Sequence, residues 1–192
     1  MPTIGQLRAR SASDKAARRD QILAAAAAIA AGTPFDELAM ADVAARAGLA
    51  KGTVFQYFAT KDDLAAALRD RHLARWHDDV ERRLARAAAP LAPAIAARLL
   101  TESLAGRGDL LRLTPRTPAP NPVPAPTLAA LDRAVPYADA ARLIRVALAA
   151  AAGLRATLPD PTDLPAELNH ALHMHLAGLR AAGLRGPRPL ID

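Results

Sequence analysis

The sequence contains no cysteine and few aromatic residues. The absence of cysteine excludes disulfides, Cys-ligated zinc or iron–sulfur sites, and thiol nucleophiles. Aromatic residues make up only 3% of the 192 residues, whereas 50 residues are alanine and 28 are leucine. Alanine and leucine favour helices, while strands depend on the β-branched and aromatic residues that are scarce here. The composition therefore predicts an all-α chain and argues against a β-sandwich, a barrel or a large α/β sheet.

Long hydrophobic runs are also missing. Arg or Asp interrupts the alanine runs before they reach about 18 residues, the length that a membrane-spanning helix needs. The N-terminus is polar and basic and lacks the apolar segment of a signal peptide. We therefore expect a soluble, cytoplasmic chain with no membrane partner. The net charge of +6 is shared equally between residues 1–61 and the remainder, so it is denser in the shorter first part and weakly favours an anionic partner there.

Hydrophobic periodicity and stop signals divide the first half of the chain into helices. Residues 1–13 are expected to be a frayed basic arm, followed by a helix over about 14–31. Two short helices are predicted over about 40–47 and 51–58. Thr60 and Asp63 form a capping-box pattern that opens a long fourth helix, which is expected to reach residue 88.

The apolar stripe of this fourth helix changes direction midway. Its first part presents Leu64 and Leu68, and its second part presents a different side, occupied by Leu73, Trp76, Val80 and Leu84. This pattern predicts a helix that connects two bodies and can transmit motion between them. The alternative is a stripe that winds round a single bundle.

The second half of the sequence predicts further helices, which prolines separate. Helices are predicted over about 91–105, 128–135, 136–158 and 163–182. About nine helices are expected in the whole chain. Residues 114–127 carry six prolines and are predicted to be a non-helical loop, with a proline-rich ligand segment as the less favoured alternative.

The last two predicted helices, about 136–158 and 163–182, combine small residues with a leucine series. Small residues allow close helix packing, and such a pair can meet its own copy across a two-fold axis to form a four-helix interface. The sequence therefore predicts a homodimer formed through these helices. Packing of both helices entirely within one chain is the alternative.

Residues 40–58 have the arrangement of a helix-turn-helix. Val43, Ala44 and Ala47 supply the inner side of the first helix, and Gly48 suits the turn. Val54 and Phe58 face inward from the second helix. The outward positions at its start hold a cation, a hydroxyl, an amide and aromatic rings, groups that suit phosphates and base edges: Lys51, Gly52, Thr53, Phe55, Gln56 and Tyr57.

The pattern continues on both sides of this motif, through Ile22-Leu23, Ala25-Ala26, Gly32, Phe35 and Lys61-Asp62-Asp63-Leu64. Together these residues resemble the TetR family of transcriptional regulators. The resemblance implies an N-terminal helix-turn-helix DNA-binding domain over residues 1–60 and a helical ligand-binding and dimerisation domain over 61–192. It also implies double-stranded DNA with a palindromic operator, and an unidentified small-molecule effector, as partners.

The same resemblance identifies the second helix of the motif as the recognition helix. Its outward residues, Lys51, Gly52, Thr53, Phe55, Gln56 and Tyr57, are then the expected DNA contacts, together with Met40 and Lys61. Thr53 and Gln56 are the candidates for reading bases.

Four positions depart from the family pattern. Ala39 and Ala50 replace the Ser or Thr that usually caps each helix of the motif, which costs about 1 kcal/mol per cap. Phe55 stands where a tyrosine hydroxyl commonly meets a phosphate, and Ala30 replaces a large aromatic residue. These departures leave the operator sequence open.

No Gly-rich phosphate loop, HExxH, GxSxG or paired carboxylate motif is present, so no enzymatic activity, cofactor or metal is expected. His173 and His175 point to opposite sides of their helix, although His170 and His173 could share a site. The candidates for lining a ligand pocket are Trp76, His72, Val80 and His173, although core packing is the favoured interpretation for Trp76.

The sequence thus predicts a homodimeric repressor that an effector releases from DNA. A ligand-independent DNA-binding dimer, a helical binding protein with weakened DNA binding, and an enzyme of unknown type are the alternatives, in that order.

Overall fold

The computed structural model describes residues 4–113 and 122–183, with side chains from residue 12 onward. These residues form nine α-helices and no strand, as the composition predicts. The helices are α1 (Ile4–Ala30), α2 (Met40–Arg46), α3 (Lys51–Tyr57), α4 (Lys61–Ala85), α5 (Pro93–Leu104), α6 (Gly108–Leu113), α7 (Ala125–Ala134), α8 (Ala140–Thr157) and α9 (Leu164–Ala181), and a single 3-10 turn, Pro161–Asp163, precedes α9.

The chain divides into two compact units. The first ends at Arg69 and the second begins at Asp70, so the division falls inside α4. The domain boundary predicted after residue 60 coincides with the start of this helix at Lys61 and stays a prediction. Thr60 caps it as the sequence indicates, because its backbone N–H donates to Asp63 Oδ2 at 2.9 Å and its Oγ1 accepts from the Asp63 N–H at 3.0 Å.

The first unit is a small helical core built from α1, α2, α3 and the start of α4. Ile22, Val43, Val54 and Leu64 each come from a different one of these helices, and each is 0% exposed. A helix of seven residues is unstable by itself in water, so α2 and α3 depend on this shared core for their structure.

The second unit packs its helices around a larger core. Leucines of α9, at positions 168, 172 and 176, lie in this core with residues of α5 and α8. Trp76 of α4 is fully buried there, and its indole N–H donates to Ser103 Oγ at 2.8 Å. The bond satisfies the one polar group that this large side chain brings into the core.

The two stripes of α4 separate as expected for a connecting helix. Leu73, Trp76, Val80 and Leu84 belong to the core of the second unit. Leu64 and Leu68 are also fully buried but lie in the part of the helix that belongs to the first unit.

Several predicted boundaries need correction. The helix predicted from residue 14 begins at Ile4, because the preceding Leu, Arg and Ala residues favour helix and no proline interrupts them. The sequence does not predict helix α6, because Gly106 and Gly108 lower the helix propensity where this helix begins. Of the predicted proline-rich loop, residues 114–121 lie outside the described residues, and Ala125–Thr127 form the first turn of α7, where Pro126 is tolerated.

Within the described residues, none of the helices is long and apolar enough to cross a membrane.

His77 is a buried titratable group in the second unit. Its side chain lies in the core beside the Trp76 ring, with 5.3 Å between the ring centroids, and its Nδ1 has no hydrogen-bond partner among the described residues. Burial lowers the pKa of His77 below its ordinary value of 6.5, although Glu81 and Asp78 partly oppose the effect. Burial likewise lowers the pKa of His72.

These shifts make stability depend on pH. The unfolded chain binds the proton at a higher pH than the folded chain, so the free energy of unfolding is greatest above pH 6.5 and falls as the pH drops below it. We expect His77→Phe to flatten this decline, because it keeps a ring beside Trp76 but does not titrate. Urea unfolding at several pH values between about 7.5 and 5 measures the slope. His170→Gln, at an exposed position of α9, is the control; an unchanged slope in His77→Phe would contradict the assignment.

Candidate nucleic-acid interface

The turn between α2 and α3 has the geometry that the helix-turn-helix pattern predicts. Gly48 has a φ of +66°, a conformation that residues with a Cβ rarely adopt. The N–H of Leu49 donates to the Ala44 carbonyl at 2.9 Å, which closes the end of α2. From α1, Gln21 Nε2 donates to the carbonyl of Ala47 at 2.7 Å and ties the turn to the first helix.

Helix α3 has one buried and one exposed side, as predicted. Val54 is fully buried, and Phe58, at the C-cap, is 2% exposed. The other side carries the residues expected to contact DNA. Of these, Lys51, Gly52, Phe55 and Gln56 are exposed, while Thr53 and Tyr57 are half-buried.

Lys51 and Phe55 lie one helical turn apart and interact. The Lys51 ammonium is 5.9 Å from the centroid of the Phe55 ring, which is 40% exposed. A phenyl ring cannot donate a hydrogen bond to a phosphate, so the cation on its surface is the group of this pair that can meet one.

Gly52 is exposed at the start of the helix and has an open space beside it. A Cβ at this position would meet nothing within 4 Å. The fold therefore does not require glycine here, and the missing side chain leaves the backbone open to a close partner.

Two of the expected contacts are placed differently. Met40 is 9% exposed and packs into the core, so its side chain does not belong to the exposed surface. Lys61 is half-buried, and its ammonium donates to the Asp36 carbonyl at 2.7 Å and lies 5.5 Å from the Phe35 ring centroid. Because Lys61 already has these partners, it would have to exchange one of them to contact a phosphate.

Both helices of the motif begin without a side-chain cap, as the alanines predict. Ala39 and Ala50 have extended N-cap conformations, with φ/ψ of −98°/140° and −67°/143°, and no side-chain hydrogen bond. Such a backbone suits a serine or threonine cap.

Of the four residues expected to line a ligand pocket, Trp76 and Val80 are fully buried in the core of the second unit, and His72 and His173 are half-buried. Two cavities of this unit are lined by other residues. One of about 300 Å³ has walls from α5, α6, α8 and α9, and another of about 250 Å³ includes His77. The burial of Trp76 agrees with its interpretation as a core residue, and the ligand pocket formed by the four residues stays a prediction.

No group of three His, Asp or Glu side chains in the described parts of the chain is placed to hold a metal ion.

Comparison with known proteins supports the interpretation of the first unit. The family described as bacterial regulatory proteins, tetR family, matches residues 22–68. A solved structure from Mesorhizobium loti, described as belonging to the TetR-family transcriptional regulators, is 18% identical, covers 87% of this chain and 96% of its own, and has a TM-score of 0.51.

The fatty acid degradation regulator FadR from Bacillus halodurans is also 18% identical, with 85% and 92% of the two chains covered and a TM-score of 0.42. No curated protein matches the sequence. The chain thus has a TetR-type N-terminal domain followed by a helical C-terminal domain, and the resemblance stated from the sequence is confirmed for residues 22–68.

The missing cap on the recognition helix gives a testable prediction. Ala50→Ser is expected to raise the free energy of unfolding by about 1 kcal/mol, because a serine hydroxyl can accept a hydrogen bond from a backbone N–H in the first turn of α3. Urea unfolding measures the change. Ala59→Ser, at an exposed position between helices, is the control, and equal effects of the two substitutions would contradict a capping role.

Proposed function

We propose that this chain, whose residues 22–68 form a TetR-type DNA-binding domain, is a homodimeric transcriptional regulator that acts as a repressor. The observation that carries the proposal is the division of α3 into a buried side and an exposed polar and basic side. The buried side fixes the helix on the core of the first unit, and the exposed side offers groups that recognise DNA.

Each exposed group has a defined chemical use. Lys51 supplies a positive charge for a phosphate, and the open backbone at Gly52 allows a phosphate to approach closely. Gln56 can form two hydrogen bonds to the edge of an adenine, and Thr53 can bond to any of several bases in the major groove. The two α3 helices of a dimer must lie about 34–36 Å apart to enter successive major grooves of a palindromic site.

The proposed dimer interface is the exposed side of the last two helices. On α8, small residues occupy exposed positions one turn apart, at Ala149, Gly153 and Ala156. On α9, Met174 is 60% exposed, and a Cβ at Gly153 or Gly178 would meet nothing within 4 Å. The leucines of α9 pack within their own chain, so the proposed interface uses the exposed side of this helix instead.

Effector release follows from differential binding. A small molecule that binds more tightly to a conformation with a different α3 spacing lowers the DNA affinity by that difference. Helix α4 is suited to transmit such a change because it supplies residues to both units. The cavity of about 300 Å³ favours this proposal over a ligand-independent dimer, since ligand pockets begin at about this volume. A repressor of this kind would work in the cytoplasm, where bacterial DNA lies.

The DNA proposal can be tested on the DNA upstream of the chain's own gene. Lys51→Gln is expected to weaken binding to all sequences and to reduce the slope of log K against log salt by about 1. Gln56→Ala should instead lower the preference for the specific site by about 1–3 kcal/mol. Fluorescence anisotropy over a salt series, with specific and scrambled duplexes, distinguishes the two effects.

Arg82→Gln is the matched control, since it removes one positive charge from an exposed side chain of the second unit. It should leave DNA binding unchanged. Failure of the wild-type protein to form any sequence-preferring complex, or equal losses in all three variants, would contradict the proposed interface.

The dimer interface generates a separate prediction. Ala149→Arg and Met174→Arg each place a charge on the proposed interface and are expected to shift the protein towards monomers. Sedimentation or light scattering measures the mass. Ala85→Arg, at an exposed position at the end of α4, should leave the dimer intact. A dimer that persists in both interface variants would exclude this side of the helices.

A further inference from the structure

The cavity of about 300 Å³ in the second unit is enclosed mainly by apolar side chains. Leucines of α5, α6 and α9 form most of its wall, at positions 104, 111, 164 and 168. Pro161 and Pro165 add further apolar surface at the start of α9. Such walls favour a ligand whose larger part is apolar.

Two arginines line this cavity, and one of them is already paired. Arg107 Nε donates to the Ser103 carbonyl at 2.7 Å, and its guanidinium forms an ion pair with Asp79 at 3.3 Å. Burial opposes ionisation of Asp79, but hydrogen bonds from Arg83 and Arg107 outweigh it and hold the pKa of this carboxyl below its ordinary range. Arg107 therefore already has a carboxylate partner, which it shares with Arg83.

Arg155 of α8 is in a different situation. It is half-buried in the cavity wall, and no described side chain or carbonyl pairs with it. Its guanidinium lies against Gly108, where a Cβ would be 3.5 Å from three of its atoms. A guanidinium held against apolar surroundings gains most from a carboxylate, which matches its planar fork with two hydrogen bonds.

We propose that this cavity binds a small monocarboxylate with an apolar chain, whose carboxylate pairs with Arg155. The planar guanidinium matches the two oxygens of a carboxylate, and the apolar walls accommodate the chain. The inference deepens the proposed function, because it assigns a chemical class to the effector of the second unit.

The test uses the full-length protein without DNA. Hexanoate and octanoate are titrated by calorimetry. The control ligands are 1-hexanol and 1-octanol, which have the same chain lengths but no charge. We expect a carboxylate to bind at least about tenfold more tightly than the corresponding alcohol, as a charge-assisted hydrogen bond requires. Arg155→Gln should abolish this preference, while Arg142→Gln, at an exposed position of the same helix, should retain it.

Two results would overturn the proposal. One is equal binding of carboxylates and alcohols by the unmodified protein, and the other is tight carboxylate binding by Arg155→Gln.

These measurements separate the ligand from the regulatory role. Carboxylate binding that leaves a DNA complex unaffected would support the ligand assignment and contradict effector release. A stable, specific DNA complex with no carboxylate binding would overturn the ligand assignment and leave the DNA-binding role intact.

Discussion

The packing of α3 on the rest of the first unit is the constraint on which the site depends. A helix of seven residues with no side-chain cap has too few internal hydrogen bonds to be stable alone. Val54 and Phe58 hold it by burial, and the left-handed turn at Gly48 fixes the direction in which it leaves α2. Once these contacts are made, Lys51, Gln56 and their neighbours can only face outward. The exposure of these polar and basic groups thus follows from the burial of the opposite side of α3.

The same dependence explains why this part of the chain could be predicted. The glycine of the turn, the small residue at Ala44 and the buried positions of α3 all lie within about twenty residues, so their spacing is visible in the sequence. The capping box at Thr60 is equally local. Prediction failed where a contact joins distant segments. Nothing in the sequence indicates that the ammonium of Lys61 bonds to the carbonyl of Asp36.

The limit of prediction from sequence is clearer in the second unit. The sequence favours core packing for Trp76 over a place in a cavity wall, but it does not show that Ser103, 27 positions away, accepts the indole hydrogen bond. The cavity itself is formed by two pairs of consecutive helices, α5 with α6 and α8 with α9, which α7 separates in the sequence. Periodicity identifies the buried side of each helix, but it cannot show where two buried sides leave a cavity between them. The sequence alone therefore does not distinguish Arg155 from the rest of the 22 arginines.

The ion pairs of the second unit connect this cavity to α4. Arg107 lines the cavity and binds Asp79, and Asp79 lies on α4, where Arg83 shares the same carboxylate at 3.0 Å. Arg107 is therefore the residue through which a ligand in the cavity can act on α4. Under the proposed mechanism, any loss of this ion pair changes the forces on the second half of α4 at one defined position. Solvent screening makes an exposed ion pair weak, but Asp79 is only 19% exposed, so this link is less screened than the surface pairs of the same unit.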